Sequence, residues 1–479
     1  MNYETVIGLE VHAQLKTNSK IFCGCDTTFG APPNTHTCPI CLGHPGVLPV
    51  LNKRVLEYAI KTSRAVNCKL NKHSQFARKN YFYPDLPKAY QISQYELPLS
   101  EKGHLDIQLS TGEKKRIGIT RIHMEEDAGK LIHDESFVSK DSSLVDFNRA
   151  GVPLIEIVSE PDLSSPEEAR TYLENLKMIL EYLEVCDCNM EEGSLRCDAN
   201  ISIRPVGQEK LGTKAELKNM NSFRNLQKAL EYEISRQTGI LEGGGKILQE
   251  TRLWDAIENK TISMRSKEEA HDYRYFPEPD LVSITANQEW IEEISRSLPE
   301  LPLAKKGRFI RQYNIPEYDA GILTSSKDLA DYYEESVKAY NSPKLISNWI
   351  MGDLLRELKN TSVRIEDCKI KPGYLAKMVE MIDKEIISGK IAKDVFEEMF
   401  KTGKIPEEIV KDKGLQQIAN QDELVKIVEK VIVENPGPVN EFLGGKEQTF
   451  GFLVGQVMKA SRGKANPKMV NQILRERLK

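Results

Sequence analysis

Four cysteines carry the sharpest spacing in the chain: Cys23-x-Cys25, twelve residues, then Cys38-x-x-Cys41. Two such knuckles can bring four thiolates to one tetrahedral zinc ion. Four sulfurs close the coordination shell, so this metal would brace a loop and leave the chemistry to other residues. His36 and His44 are possible substitutes as ligands. Cys186 and Cys188 lack a comparable pattern, and Cys197 falls in an apolar row; these are read as ordinary thiols.

A second pattern repeats in four places. In "TVIGLEVHAQL" the alternate residues Ile7, Leu9, Val11, Ala13 and Leu15 are apolar, while Glu10, His12 and Gln14 share the opposite face. "SLRCDANISIR" sets Arg196, Asp198, Asn200, Ser202 and Arg204 against an apolar row, "KAELKN" sets out Lys214, Glu216 and Lys218, and "TRIHMEED" sets out Arg121, His123 and Glu125. A single solvated strand face would explain any one of these. Four faces that favour acid, imidazole and amide together suggest a Mg²⁺ site, because that ion takes oxygen ligands and shares them with substrate phosphate. Interleaved Arg and Lys would meet the phosphate oxygens. The pattern points to phosphoryl transfer. No G-x-x-x-x-G-K-[ST] loop occurs, so ATP would bind in a different type of site.

The segment "FARKNYFYPDLPKAYQISQYELP" places Tyr81, Phe82 and Tyr83 between Lys79 and Lys88. Packing of its own tyrosines in a surface loop would account for it. Rings between cations also suit a base stacked beside phosphate contacts. At the other end, residues 444–479 hold eight Lys or Arg, including Lys459, Arg462, Lys464 and Lys468, against two Glu, in a chain whose net charge is −5. A basic terminal unit on an acidic body is what contact with an RNA backbone asks for.

The elements that must position these residues show two textures. Up to about residue 290, period-two segments alternate with a few helices. In "SPEEARTYLENLKMILEYLEV" Ser165 is the expected N-cap, Pro166 the first helical residue and Glu168 the partner in a capping box. A further helix is expected from Phe223 to about Gln237. After "SRSLPELPLAKKGRF" the periodicity is helical, and from about Gly403 a further small helical unit follows. With 479 residues, 40% hydrophobic and 29% charged, the chain has the composition of a globular protein of several domains. No run approaches the roughly 18 apolar residues of a membrane helix. The start lacks a signal-peptide plan, and nine cysteines with a metal-like cluster suit a reducing compartment, so a cytoplasmic location is expected.

Taken in order, "IGLEVHAQL", "CPICLGHPGVLPVLN", "RKNYFYPDLPKAYQIS", "HMEEDAGK", "DFNRAGVPLIEIVSEPD", "EEGSLRCDANISIRP" and "AELKNMNSF" resemble the B subunit of the bacterial tRNA-dependent amidotransferase. "FLVGQVMKASRGKANPKMVNQIL" resembles the tail of the same family, so the likeness spans nearly the whole chain. "EVCDCNMEEG" departs from it, the family more often showing small residues in place of Cys186 and Cys188.

The resemblance implies an α+β fold. A cradle domain built on a mostly antiparallel sheet, residues 1–292 with a zinc-binding insertion at about 20–45, would precede a helical domain, 293–403, and a helical tRNA-binding tail, 404–479. It also implies a reaction. ATP phosphorylates the side-chain carboxylate of Glu-tRNA(Gln) or Asp-tRNA(Asn), and ammonia then displaces phosphate to give the amide. An amidase (glutaminase) A subunit supplies the ammonia, and a small C subunit completes a heterotrimer. This chain has no Ser-Ser-Gly-rich amidase signature of its own. Glu10, His12 and Glu125 would hold Mg²⁺, and Asp198, Asn200 and Glu216 would complete the coordination or orient its waters. Lys79, Tyr81, Lys88, Arg149, Arg196, Lys214 and Lys218 would meet phosphate, adenine or the charged 3′ end. Lys459, Arg462, Lys464 and Lys468 would meet the tRNA backbone.

Two other readings compete. A non-catalytic zinc- and RNA-binding protein would use the polar sheet for docking, but phosphate repels a face rich in carboxylates. A kinase of a small molecule would have no use for the basic tail.

Overall fold

A computed structural model of the chain describes residues 2–132, 142–266, 273–415, 421–461 and 464–478. It has two compact units, Met1–Leu301 and Pro302–Lys479. The fold is α+β: a sheet with helices in the first unit, and helices throughout the described part of the second.

The strands of the first unit are β1 (Tyr3–Gln14), β2 (Lys69–Leu70), β3 (Ala77–Asn80), β4 (Tyr90–Ser93), β5 (Ser100–Gln108), β6 (Lys114–Glu126), β7 (Lys130–Ile132), β8 (Leu144–Asp146), β9 (Pro153–Ser159), β10 (Leu195–Pro205), β11 (Ala215–Lys218), β12 (Glu250–Asp255), β13 (Lys260–Ser266) and β14 (Arg274–Pro277). Among the described residues, nine of them form one sheet in the order β13-β12-β11-β10-β1-β9-β6-β5-β2, and β14-β3-β4 form a small second sheet. Pairing in the large sheet is antiparallel except between β11 and β12.

β1 lies at the centre because its alternation lets it bury one complete face. Ile7, Leu9, Val11 and Ala13 are 0–1% exposed, while Glu10, His12 and Gln14 on the other face are half-buried. The apolar face packs on helices Lys53–Ala65, Pro166–Tyr182 and Phe223–Glu242, whose buried stripes (Ala59 and Ile60, Tyr172 and Leu176, Leu226 and Leu230) share one core with it. Ser165 caps its helix as the sequence leads one to expect, accepting from the Glu168 backbone N–H. The reciprocal bond differs. The Glu168 carboxylate accepts from the backbone of Ser164, not of Ser165, because Lys115 on β6 draws it to that side. Helix Phe223–Glu242 runs past Gln237 up to the glycine triplet.

The small sheet is clipped to the end of β6. The Ile92 N–H donates to the Glu126 carboxylate at 2.9 Å, the Gln91 amide donates to the Glu126 carbonyl at 2.7 Å, and the Met124 N–H donates to the Gln94 side chain at 3.0 Å.

The second unit has two apolar cores, one around Phe309, Tyr333, Leu375 and Phe396 and another around Leu424, Leu453, Val470 and Leu474. "KLISNWIMGDLLREL" forms helix Pro343–Trp349, a π-helical turn Ile350–Leu354 and helix Leu355–Thr361 in succession. No helix among the described residues is long and apolar enough to cross a membrane.

Candidate functional site

Strand register builds the site. Across β10, β1, β9 and β6, the residues Arg196, His12, Glu156 and His123 stand in one row. Glu125, two residues beyond His123 on the same face of β6, reaches into that row. His12 Nε2 lies 3.3 Å from Glu156 Oε2 and 3.6 Å from Glu125 Oε1. His123 Nε2 lies 3.3 Å from the same Glu156 oxygen and 3.7 Å from Glu125 Oε2. The ligand atoms of His12, Glu125 and Glu156 all fall within 4.8 Å of one another, a grouping able to hold a metal ion.

Electrostatics follow from burial and pairing. Burial by itself would raise the Glu156 carboxyl, but the charge of His123 and the hydrogen bond from His12 hold it well below its ordinary value. Glu125 is lowered on balance too: burial opposes the shift, and the hydrogen bond from His123 leads the groups that favour it. Burial would depress both imidazoles, yet the two carboxylates raise His12 and bring His123 to about 9. Glu10 differs. Burial first, then the neighbouring Glu156, pushes its carboxyl up, against the Asn200 side chain that donates to it at 2.8 Å.

The expected grouping of Glu10, His12 and Glu125 thus gains a further member: the residues whose ligand atoms lie within 4.8 Å of one another are His12, Glu125 and Glu156. Nothing in the sequence singled out Glu156. In "PLIEIVS" it is flanked on its own face by Leu154 and Val158, so no polar row announces it, and only its pairing with His12 and His123 does.

The other expected residues separate into pairs. Lys218 Nζ meets Asp198 at 2.6 Å and Glu216 at 3.0 Å, so these two acids share one lysine. Arg196 and Arg149 share the buried Asp127, at 3.0 and 3.6 Å, and Gln14 donates to the same carboxylate at 2.9 Å. Asp127 is a further residue that sequence reasoning missed, because it follows the strand and not its alternation. Arg149 also donates to the carbonyls of Ala128 and Gly129. Lys88 is ion-paired with the buried Glu126. Lys79 lies against the rings of Tyr273 and Tyr81, at 4.6 and 5.8 Å. Lys214 is exposed at the rim of a cavity of about 230 Å³ that Gly8, Glu10, Ser159, Asn200 and Ser202 also line.

The sulfurs of Cys23, Cys25, Cys38 and Cys41 come within 4.8 Å of one another and could hold a metal ion such as zinc; neither His36 nor His44 is in the group. The hydrogen bond to Cys41, with burial, raises Cys23, and the same bond brings Cys41 down to about 4. A fully buried Lys20 ammonium stands 3.7 Å from Cys41 Sγ and donates to the His36 carbonyl at 2.6 Å. Cys186, Cys188 and Cys197 are buried and outside this group.

In the second unit Lys459 lies in the last turn of helix Gln448–Ala460, and Lys468 lies near the start of helix Pro467–Arg477. Lys464 sits between those helices, and Arg462 lies outside the described residues.

Comparison with known proteins agrees along the whole chain. The family described as "GatB/GatE catalytic domain" matches residues 5–292, and the "GatB domain" matches residues 331–478. The B subunit of the aspartyl/glutamyl-tRNA(Asn/Gln) amidotransferase of Carboxydothermus hydrogenoformans is 61% identical over 99% of both chains. The protein of the same name from Thermoanaerobacter sp. is 62% identical over 100% of both, and that of Brevibacillus brevis 58% over 99% of this chain and 98% of its own. A sheet that gathers His12, Glu125 and Glu156, extended by a helical tail and matched from end to end, places the chain in the family of aspartyl/glutamyl-tRNA amidotransferase B subunits.

Proposed function

We propose that this chain carries the kinase and transamidase centre of a tRNA-dependent amidotransferase. Its substrates are Glu-tRNA(Gln) or Asp-tRNA(Asn), ATP and ammonia. A side-chain carboxylate oxygen attacks the γ-phosphorus of ATP and ADP leaves. Ammonia nitrogen attacks the activated acyl carbon, phosphate leaves, and the nitrogen gives up a proton to yield the amide. Overall this is a carbon–nitrogen ligase drawing on glutamine, with the ammonia released by a partner amidase (glutaminase) A subunit. A small C subunit completes the heterotrimer, which works in the cytoplasm.

The observation that carries this reading is the trio His12, Glu125 and Glu156, gathered on the polar face of the sheet with Glu125 buried. One imidazole and two carboxylates form an oxygen-rich donor set, and Glu10 beside them adds a carboxyl that burial and Glu156 hold upward. That concentration of acid fits a Mg²⁺ ion. When bound, Mg²⁺ supplies neutralisation of charge on the phosphoryl oxygens. His123 holds Glu125 and Glu156 through its Nε2. Asn200 orients Glu10. Arg149 and Arg196, fixed by Asp127, meet phosphate oxygens; the buried Nε of Arg196 has no partner among the described residues. Lys214 approaches phosphate from the rim of its cavity, and Lys218 sets Asp198 and Glu216 for their part in the site. Zinc at the four cysteines braces the segment around them, and Lys459, Arg462, Lys464 and Lys468 contact tRNA through phosphate.

The test is amide formation. The chain, with and without its co-purified partners, is incubated with Glu-tRNA(Gln) or Asp-tRNA(Asn), ATP, and glutamine or ammonia. Amide from ammonia with partners absent or present, and from glutamine only with partners, is expected. Absence of both ATP cleavage and amide overturns the proposal.

A further inference from the structure

Between the end of β1 and helix Lys53–Ala65 the chain forms neither helix nor strand, so the segment that carries the four cysteines is held by other means. It is bolted to residues 144–151, the stretch that leads into β9. Asn34 donates its N–H to the Asp146 carboxylate and its side-chain amide to the Val145 carbonyl, both at 3.0 Å, and accepts from the Phe147 N–H at 2.8 Å. The His36 N–H donates to the Asn148 side chain at 2.8 Å, and Asn148 donates back to the Pro32 carbonyl at 2.8 Å. The next residue is Arg149, which reaches Asp127. Gly151 closes the connection: its N–H donates to the Asp127 carbonyl at 2.9 Å, and its carbonyl accepts from the Ile21 N–H at 3.0 Å. A Cβ added at Gly151 would lie 3.5 Å from both Cys41 Cβ and Lys20 Cδ, so this backbone packs directly on the cysteine site.

Lys20 stands where these parts meet. It is 0% exposed, and its ammonium donates to the His36 carbonyl at 2.6 Å and the Phe147 carbonyl at 3.4 Å, with Cys41 Sγ at 3.7 Å. Three hydrogens thus have three acceptors: one in the loop between the cysteine pairs, one in the stretch before Arg149, one in the cysteine set. A buried ammonium is costly unless it is satisfied in this way. Carbonyls alone could satisfy a lysine buried for packing. Here the third acceptor is one of the four sulfurs, and four thiolates around a divalent ion leave a surplus of negative charge that the ammonium offsets.

We infer that Lys20 is a positioning residue through which metal bound by Cys23, Cys25, Cys38 and Cys41 holds Arg149 against Asp127, with its guanidinium presented to phosphate. With metal in place Cys41 is fixed, Lys20 ties Phe147 to it, and Arg149 two residues on keeps its seat on Asp127, Ala128 and Gly129. Without metal the two cysteine pairs are no longer joined, and the loop between them that holds Phe147 and Asn148 loosens. This inference rests on the zinc and ATP binding proposed above.

The experiment uses the full chain with its co-purified partners and measures two affinities, zinc by competition with a chromophoric chelator and ATP by equilibrium dialysis. Lys20→Met keeps the length of the side chain and removes its donors. It should weaken zinc binding about 10–100-fold, the usual effect of losing a partner of a metal ligand. ATP binding should weaken about tenfold, as it does on loss of a hydrogen bond to a charged group. Removing zinc from wild type with the chelator should weaken ATP binding by a similar factor, and zinc returned should restore it. Arg149→Met should weaken ATP binding too, and in that background neither Lys20→Met nor zinc removal should weaken it further, because Lys20 acts through Arg149. A merely structural defect would add to the loss. Asn148→Ala is the milder second variant: it leaves Lys20 and the cysteines in place, and it should lower ATP affinity in wild type but not beside Arg149→Met. Zinc and ATP affinities unchanged in Lys20→Met overturn the inference, as do losses in ATP affinity that multiply with that of Arg149→Met, or a wild type without zinc. If wild type shows the coupling but forms no amide, the amidation fails and the clasp stands. Amide formation with ATP binding indifferent to Lys20 and to zinc gives the converse.

Discussion

His12 and His123 approach the same oxygen of Glu156 from opposite sides, each with its Nε2 at 3.3 Å. The two imidazoles come from β1 and β6, and Glu156 comes from β9, the strand between them. One carboxylate thus joins three strands at the centre of the polar face, although its neighbours in sequence give no sign of it.

Glu156→Gln should preserve the shape of the site and remove the charge that both histidines share. Loss of one electrostatic stabiliser of phosphoryl transfer costs about 10²–10³ in rate. ATP cleavage and amide formation should fall together by that factor, while tRNA binding persists. Mn²⁺ binding, followed by magnetic resonance, should weaken in parallel. A variant within about threefold of wild type in rate and metal affinity would remove Glu156 from the centre.

Glu125→Gln is the matched comparison, since Glu125 meets both imidazoles and also accepts from Ser93. Its loss should equal that of Glu156→Gln within about tenfold, and the double variant should be no worse than the poorer single one. Residues that act as one unit behave non-additively. Multiplicative losses would show two independent roles.

Asp127 sets an acid limit. Burial opposes its ionisation, but Arg196 and Arg149 outweigh burial and hold the carboxyl below its ordinary 3.8. A carboxyl depressed in the folded state contributes stability that is complete above the unfolded value and is lost as pH falls through the folded one. Asp127→Asn should therefore cost about 2–3 kcal/mol at neutral pH, less than a fully buried pair because the Arg196 side chain is 36% exposed. The gap between variant and wild type should close as pH falls below about 4, as denaturant titrations at several pH values would measure. A gap constant down to pH 2 would contradict this account.

One zinc per chain is expected, with Cys38→Ser losing the metal and lowering the melting temperature, since structural zinc contributes folding free energy directly. Elemental analysis beside thermal melting decides it. A metal-free wild type, or unchanged melting in the variant, would argue against a structural ion.

The tail is better tested by charge than by truncation, because its core joins Leu424 and Val428 to Leu453 and Leu474, and a cut at residue 444 would open it. Lys459→Gln, Lys464→Gln and Lys468→Gln together should weaken binding to all tRNA sequences alike and reduce the salt slope by up to about 3. Part of the Lys468 effect will be local, since its ammonium also lies 3.5 Å from Glu385. Unaltered affinity and slope would separate this surface from RNA.

The sequence by itself determined the strand faces, the cysteine set and the helical second half. Each of these is local: alternation assigns a face, thiol spacing sets what one ion can gather, and period 3.6 marks a helix. His12 and Glu125 were legible for that reason, as polar members of alternating strands. Only the tertiary structure decided which polar groups meet. Glu156 owes its place to antiparallel register, which sets it opposite His12 and His123 from distant parts of the chain. Lys218 turned Asp198 and Glu216 into ion-paired acids, and Asn200 came to hold the Glu10 carboxylate, through contacts that no single strand encodes. Asp127 became the anchor of two arginines only because β10 and the residues leading into β9 converge on the end of β6. Local periodicity fixes the direction of a side chain, and sheet order fixes its company.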